Sequence, residues 1–123
     1  MATPIDPDFR SRLQALSDKF ALGVPALMSA IGQALAACRT EGLGALQLTA
    51  LHRALHAVAG SAGTFGFGAL GQECRRIEQL LRPLMDDAAA AGREWPLLAP
   101  QIDQLLAWAA VDPKATPYVP LPG

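Results

Sequence analysis

Leu51-His-Arg-Ala-Leu55-His56-Ala-Val-Ala-Gly60-Ser-Ala-Gly63-Thr-Phe65-Gly66 is the stretch on which the fold turns. Leu51, Leu55, Val58, Ala62 and Phe65 recur at alternating steps of four and three, the period of one buried helical face. His56 follows the core position Leu55 by one residue, about 100° of helical rotation, and so is expected at the edge of the buried stripe. His52 shares that edge one turn earlier and reads as a helix-surface histidine. A helix carried on through Gly60, Ser61, Ala62 and Gly63 loses roughly 1 kcal/mol per glycine relative to alanine. Such a loss points to a requirement for bare surface beside His56. Ala59, Gly60 and Gly63 would let another macromolecule lie flat against the imidazole.

Outward from this stretch, the apolar spacing predicts five helical segments. In the first, Phe9, Leu13, Leu16 and Phe20 form the stripe, with Asp6 as cap and Pro7 as first helical residue. Gly23 separates it from a second, which starts near Val24, carries Pro25 in its first turn and buries Leu27, Met28, Ile31, Leu35 and Cys38. Gly42 and Gly44 mark a loop. The third segment is the one quoted above, ended by Gly66 and Gly68. The fourth carries Leu70, Cys74, Ile77, Leu81 and Leu84, is kinked by Pro83, trails off through Asp86 to Ala91 and stops at Gly92. The fifth begins near Pro96, with Pro100 tolerated only in its first turn, and buries Leu98, Ile102, Leu105 and Ala109 before Asp112-Pro113 stops it. The leucine, isoleucine and phenylalanine stripes all read as core. Strand-like alternation and internal repeats are absent. The expected fold is all-α, an antiparallel four-helix bundle with an additional N-terminal helix spanning residues 6–111. Residues 112–123 hold four prolines and a glycine and read as a tail or linker apart from the core, in a chain that stands alone or is cut from a larger protein.

Composition narrows the function. The 123 residues suit one domain, and half are apolar. With a net charge of −1 and Arg75-Arg76 as the longest cationic cluster, a nucleic-acid footprint is not expected. No stretch reads as a bilayer-spanning helix and Met1 to Pro7 lack the features of a secretion signal, so the expectation is a cytoplasmic protein without membrane association. Cys38 and Cys74 are too few for a disulfide framework and are expected reduced and half buried.

Glu78 follows the core residue Ile77 as His56 follows Leu55. If the two helices form a hairpin about the glycine turn, those edges fall together, either at the seam or away from it. At the seam, the carboxylate would accept a hydrogen bond from one ring nitrogen and leave the other free as a nucleophile. The alternative for Glu78 is a solvated residue paired with Arg75 or Arg82. Gly66-Phe-Gly68-Ala-Leu-Gly71 matches a dinucleotide-binding pattern, but that pattern needs a preceding strand, and here a helix precedes it. His52, His56, Cys74 and Glu78 form two pairs four residues apart, a spacing from which bundles build metal sites. That metal-binding reading leaves the glycine run unexplained, as does a purely structural bundle.

His56-Ala-Val-Ala59-Gly60-Ser61-Ala62-Gly63-Thr-Phe-Gly66, followed by Leu70, Cys74 and Ile77-Glu78, resembles the histidine-containing phosphotransfer (HPt) domain of two-component phosphorelays. The motif covers about residues 51–81, and the helix pattern extends the resemblance over roughly 6–110. The resemblance implies a four-helix bundle with an extra N-terminal helix, in which His56 accepts a phosphoryl group from a receiver-domain aspartate and passes it to another receiver. It implies that Glu78 bonds and orients the imidazole and that Gly60 gives the receiver room. It implies partners among response regulators or a hybrid histidine kinase, no cofactor in this chain, with magnesium brought by the receiver, no ATP site, and a monomer. The family often has lysine where this chain has Ala59; Arg53 and Arg75 are the candidates to offset the phosphate charge in its place.

Overall fold

The computed structural model describes residues 7–121. Among these there are four helices and no strand: α1 (Pro7–Glu41), α2 (Ala45–Ala59), α3 (Gly68–Asp86) and α4 (Ala88–Val111). Asp6, the expected first cap, lies outside the described residues. Each helix packs on the next, and α1 also meets α4. The shared core is built from Ile31 and Leu35 of α1, Leu48, Leu51, Leu55 and Val58 of α2, Leu70, Cys74, Ile77 and Leu81 of α3, and Leu98, Ile102 and Leu105 of α4. These are the positions that the four-three spacing selects, because residues at that spacing stack on one side of a helix.

The separate N-terminal helix does not exist; residues 7–41 run as one helix through Gly23 and Pro25. Nothing crowds Gly23, and Pro25 is exposed, so the backbone carbonyl that loses its donor at proline can turn to water. Joining the two segments also overturns the expectation that no stretch is long enough to cross a bilayer. Phe20 to Cys38 holds no charged residue, and α1 passes that test by length and composition. In the bundle, Val24, Ile31, Leu35 and Cys38 of this stretch are buried against the other helices. The N-terminal stripe is not core: Phe9, Leu13 and Leu16 are exposed, and burial begins with Phe20, which meets Phe65 and Phe67 with ring centroids 5.3 Å away in both cases.

The boundary between the last two helices also moves. Asp87, in an extended conformation (φ −142°, ψ 104°), accepts hydrogen bonds from the amides of Ala89 (3.0 Å) and Ala90 (3.2 Å). This side-chain cap starts α4 eight residues before the expected Pro96, so Ala88 to Ala91 begin a helix instead of ending one. Gly92, Pro96 and Pro100 all lie inside α4. Each is exposed, which keeps the interrupted backbone on the solvent side while Ala91, Leu98, Ala99 and Ile102 hold the buried side. Arg39 of α1 grips Asp103 of α4 through two hydrogen bonds of 3.0 and 2.5 Å.

Two further expectations change. Cys38 and Cys74 are free thiols but buried, Cys74 completely. Burial first, and then the carboxylates of Glu73 and Glu78, push the Cys74 thiol up to about 12. The proline-rich segment after Asp112 folds back: Ala115, Tyr118 and Leu121 pack against the core, the Tyr118 ring meets Trp108 edge-on at 5.0 Å, and Lys114 Nζ sits 5.2 Å from the Phe67 ring centre.

Candidate functional site

α2 ends at Ala59, six residues before Phe65, the last stripe position of the segment expected from sequence, and Gly60 to Gly66 form a succession of turns. Helical hydrogen bonding persists briefly, from the Gly60 amide to the His56 carbonyl (3.0 Å) and from Ala62 to Val58 (2.9 Å). It then tightens, from Thr64 to Ser61 (3.1 Å) and Phe65 to Ala62 (3.2 Å), and Gly66 reverses the chain with φ +90°. The glycines at Gly60 and Gly63 therefore do not weaken a helix interior. A Cβ at Gly63 would meet open space, and one at Gly60 would make only ordinary contact with the His56 carbonyl. Both leave bare surface toward solvent. The glycine that permits close packing is Gly71, whose Cβ would stand 3.1 Å from the Cβ of Ala62 and 3.3 Å from the Gly63 amide nitrogen.

α2 and α3 bring His56 and Glu78 together at their seam. Nδ1 of His56 and Oε1 of Glu78 are 2.5 Å apart. The His56 side chain is 70% exposed and that of Glu78 only 13%, so the carboxylate is held in the seam while the ring stands out from it. With Glu78 ionised, Nδ1 is the donor and carries the proton; in the neutral ring Nε2 is then the unprotonated, lone-pair nitrogen. Glu78 turns to His56 and not to Arg75, whose guanidinium donates to the Ala59 carbonyl at 3.3 Å.

A cleft of about 280 Å³ opens at this point, walled by His52, His56, Ala59, Gly60, Arg75 and Glu78, with Arg82 also lining it. Of the residues expected at a docking surface, Gly60 and Gly63 are exposed and Arg75 reaches the cleft, whereas Ala59 is buried and contributes mainly its carbonyl. Arg53 is exposed on α2 but does not line the cleft. His52 is not the surface histidine that its sequence position suggests: its side chain is 16% exposed and its Nε2 lies 3.5 Å from Glu78 Oε1. Arg82 and His52 were missed as members of the cleft. The available signal was their spacing, His52 four residues before His56 and Arg82 four residues after Glu78, one turn away in each case.

The metal-binding alternative does not survive. Among the described residues no group of three or more histidine, cysteine, aspartate or glutamate side chains is arranged to hold a metal ion. Cys74 is sealed in the core while His56 stands in solvent, so the four residues do not face a common point. The dinucleotide-like glycines form the turn and the start of α3, with no strand before them.

The Hpt domain family model matches residues 15–108, well over half of the chain. No curated protein and no solved structure matches it. The matched span takes in all of α2 and α3 with the imidazole and carboxylate at their seam, and nearly all of the bundle that supports them. On that match the chain belongs to the Hpt domain family, the helical bundles that carry phosphoryl groups on histidine in two-component phosphorelays and interact with receiver domains.

Proposed function

We propose that this chain is a phosphorelay intermediate that accepts a phosphoryl group on Nε2 of His56 from a receiver-domain aspartate and passes it to a second receiver. The observation that carries the reading is the exposed imidazole whose Nδ1 is tied to Glu78 at 2.5 Å, beside the bare surface of Gly60 and Gly63. In the forward step, the Nε2 lone pair attacks the phosphorus of the aspartyl phosphate. The N–P bond forms as the P–O bond breaks, and that electron pair leaves with the aspartate carboxylate. The Nδ1 proton stays directed at Glu78, whose negative charge offsets the positive charge that develops on the ring. Phosphoryl transfer depends chiefly on positioning and charge neutralisation, so an oriented imidazole needs little else from its own domain. Magnesium, supplied by the receiver, would neutralise charge on the transferring group. In this reading Arg75 and Arg82, which line the cleft, provide the cations that the family often places at the position of Ala59.

The same reading makes the chain a carrier without an ATP site or kinase activity, acting in the cytoplasm as a monomeric antiparallel bundle. Its partners are the receivers of response regulators or of a hybrid kinase, not nucleic acid or membrane. α1 is taken as a bundle helix because its charge-free stretch contributes Val24, Ile31, Leu35 and Cys38 to the core.

The test is to incubate the chain with a receiver domain loaded from acetyl phosphate, and separately with phosphoramidate as a receiver-independent donor. The expected product is an acid-labile, base-stable label that His56→Gln abolishes and His52→Gln largely keeps. Undiminished label on His56→Gln would overturn the assignment.

A further inference from the structure

Beyond the His56–Glu78 pair, the cleft contains a buried polar atom with no satisfied role. Nε2 of His52 is buried and has no hydrogen-bond partner. Such atoms are rare in folded proteins, and each calls for a physical reason. Its nearest charged neighbour is Oε1 of Glu78 at 3.5 Å, the oxygen that already takes His56 Nδ1 at 2.5 Å. The two imidazoles sit one turn apart on α2, nearly parallel (9° between planes) with centroids 6.2 Å apart. They therefore present nitrogens to the same carboxylate from one helix face. A carboxylate oxygen has room for two donors, and a small movement of the Glu78 side chain would bring the second contact to hydrogen-bond length.

We propose that His52 is a positioning residue for His56: in its Nε2–H form it donates to Glu78 Oε1 and fixes the carboxylate against the Nδ1 side of the His56 ring. This rests on the reading of His56 as the phosphoacceptor. Glu78 reaches the seam on a flexible side chain and its partner ring is 70% exposed, so a second donor from within the seam would fix the carboxylate further. Arg75 directs its guanidinium to the Ala59 carbonyl rather than to Glu78. His52 approaches Oε1 from within the seam, its side chain only 16% exposed. Its bond keeps the carboxylate aligned with Nδ1 both before transfer, when Nε2 must present its lone pair, and after it, when Nδ1 still carries its proton. The histidine one turn before the acceptor then has a purpose that a surface residue would not have.

The test compares His52→Phe, which keeps a ring but removes the donor, with His52→Gln, whose amide can restore an N–H. Two quantities are read on folded protein: the rate of His56 phosphorylation by phosphoramidate, which needs no docked partner, and the ring-nitrogen tautomer of His56 from long-range proton–nitrogen correlation spectra. His52→Phe is expected to slow phosphorylation about tenfold, short of the roughly hundredfold that a full 1 Å misplacement can cost, and to turn a single Nδ1–H tautomer into a mixture. His52→Gln is expected to recover most of the rate and the single tautomer. If His52→Phe loses the helical circular dichroism of the parent, His52→Leu replaces it in the comparison. Parental rate and tautomer in the donor-free variant, or a glutamine variant as impaired as the donor-free one, would overturn the proposal. Undiminished phosphorylation of His56→Gln would instead remove the reading of His56 itself, whatever the His52 variants do.

Discussion

Gly60 caps α2 with φ −76° and ψ −20°, a conformation open to any L-residue, and a Cβ there would meet only the His56 carbonyl at 3.5 Å. Nothing in the fold requires glycine at this position, so the reason for it lies outside the chain. Gly60→Arg should therefore leave stability within about 0.5 kcal/mol of the parent, as surface changes usually do. Labelling of His56 by phosphoramidate should persist, because the ring and Glu78 are untouched. Transfer from a phosphorylated receiver should fall at least about tenfold, since a long charged side chain would stand where a partner must approach. Parental receiver transfer by this variant would remove the argument from bare surface. That His56 and Glu78 hold equivalent edge positions was legible in sequence, because each lies one residue past a buried position and helical rotation fixes that relation. The burial of His52 was not legible, since whether an edge residue faces a seam depends on the neighbouring helix. The same limit applied to Glu78, for which the sequence left the seam and the solvent both open.

At the scale of elements, apolar periodicity identified the stripes, but it could not rank them. The Leu55 stripe is shared by all of α2 and sits in the core, whereas the Phe9–Leu16 stripe has the same spacing and extends from α1 with Leu13 at 40% exposure. Leu55→Ala should cost about 2–5 kcal/mol by emptying packed space. Leu13→Ala should cost roughly 0.5 kcal/mol or less. Denaturant midpoints of the two variants measure the difference, and equal losses would place the N-terminal stripe in the core after all. Helix ends were misplaced for a related reason. Proline and glycine read as stops, but Pro25, Pro96 and Pro100 lie on exposed sides of continuous helices, where water can satisfy the freed carbonyls. One glycine has the opposite character. At Gly71 an added methyl would stand 3.1 Å from Ala62 Cβ and 3.3 Å from the Gly63 backbone nitrogen, so α3 would have to move from the turn that bears the bare surface. Gly71→Ala should cost about 1–3 kcal/mol of stability, read from the same unfolding curves. A neutral or stabilising result would mean that the turn yields freely.

In the whole molecule, the bundle places its site at the α2–α3 seam, and the segment after Asp112 returns to another part of α3. That segment forms a pocket with Gly68, Gln72, Glu73 and Arg76, whereas the cleft at His56 is lined by Arg75, Glu78 and Arg82 of the same helix. Glu73, buried and ion-paired with Arg76, and Gln101, which accepts from the same guanidinium at 2.7 Å, join α3 to α4 beside the returning segment. Proline content suggested a tail apart from the core, but composition does not reveal that one aromatic ring can anchor the residues around it. Here Tyr118 lies edge-on to Trp108, itself only 5% exposed. Edge-on aromatic pairs contribute on the order of 1 kcal/mol beyond the area they bury. Tyr118→Ala should therefore lower the melting temperature by a few degrees, roughly what 1 kcal/mol produces in a domain of this size. It should also shift tryptophan emission to the red as water reaches Trp108, while Trp95, the other tryptophan, keeps its environment. Phosphorylation of His56 by phosphoramidate should be unchanged, because the pocket under Tyr118 shares no residue with the cleft. Emission and melting temperature equal to the parent would show that the segment does not rest on the bundle in solution, and a slowed phosphorylation would show that the two regions of α3 are coupled.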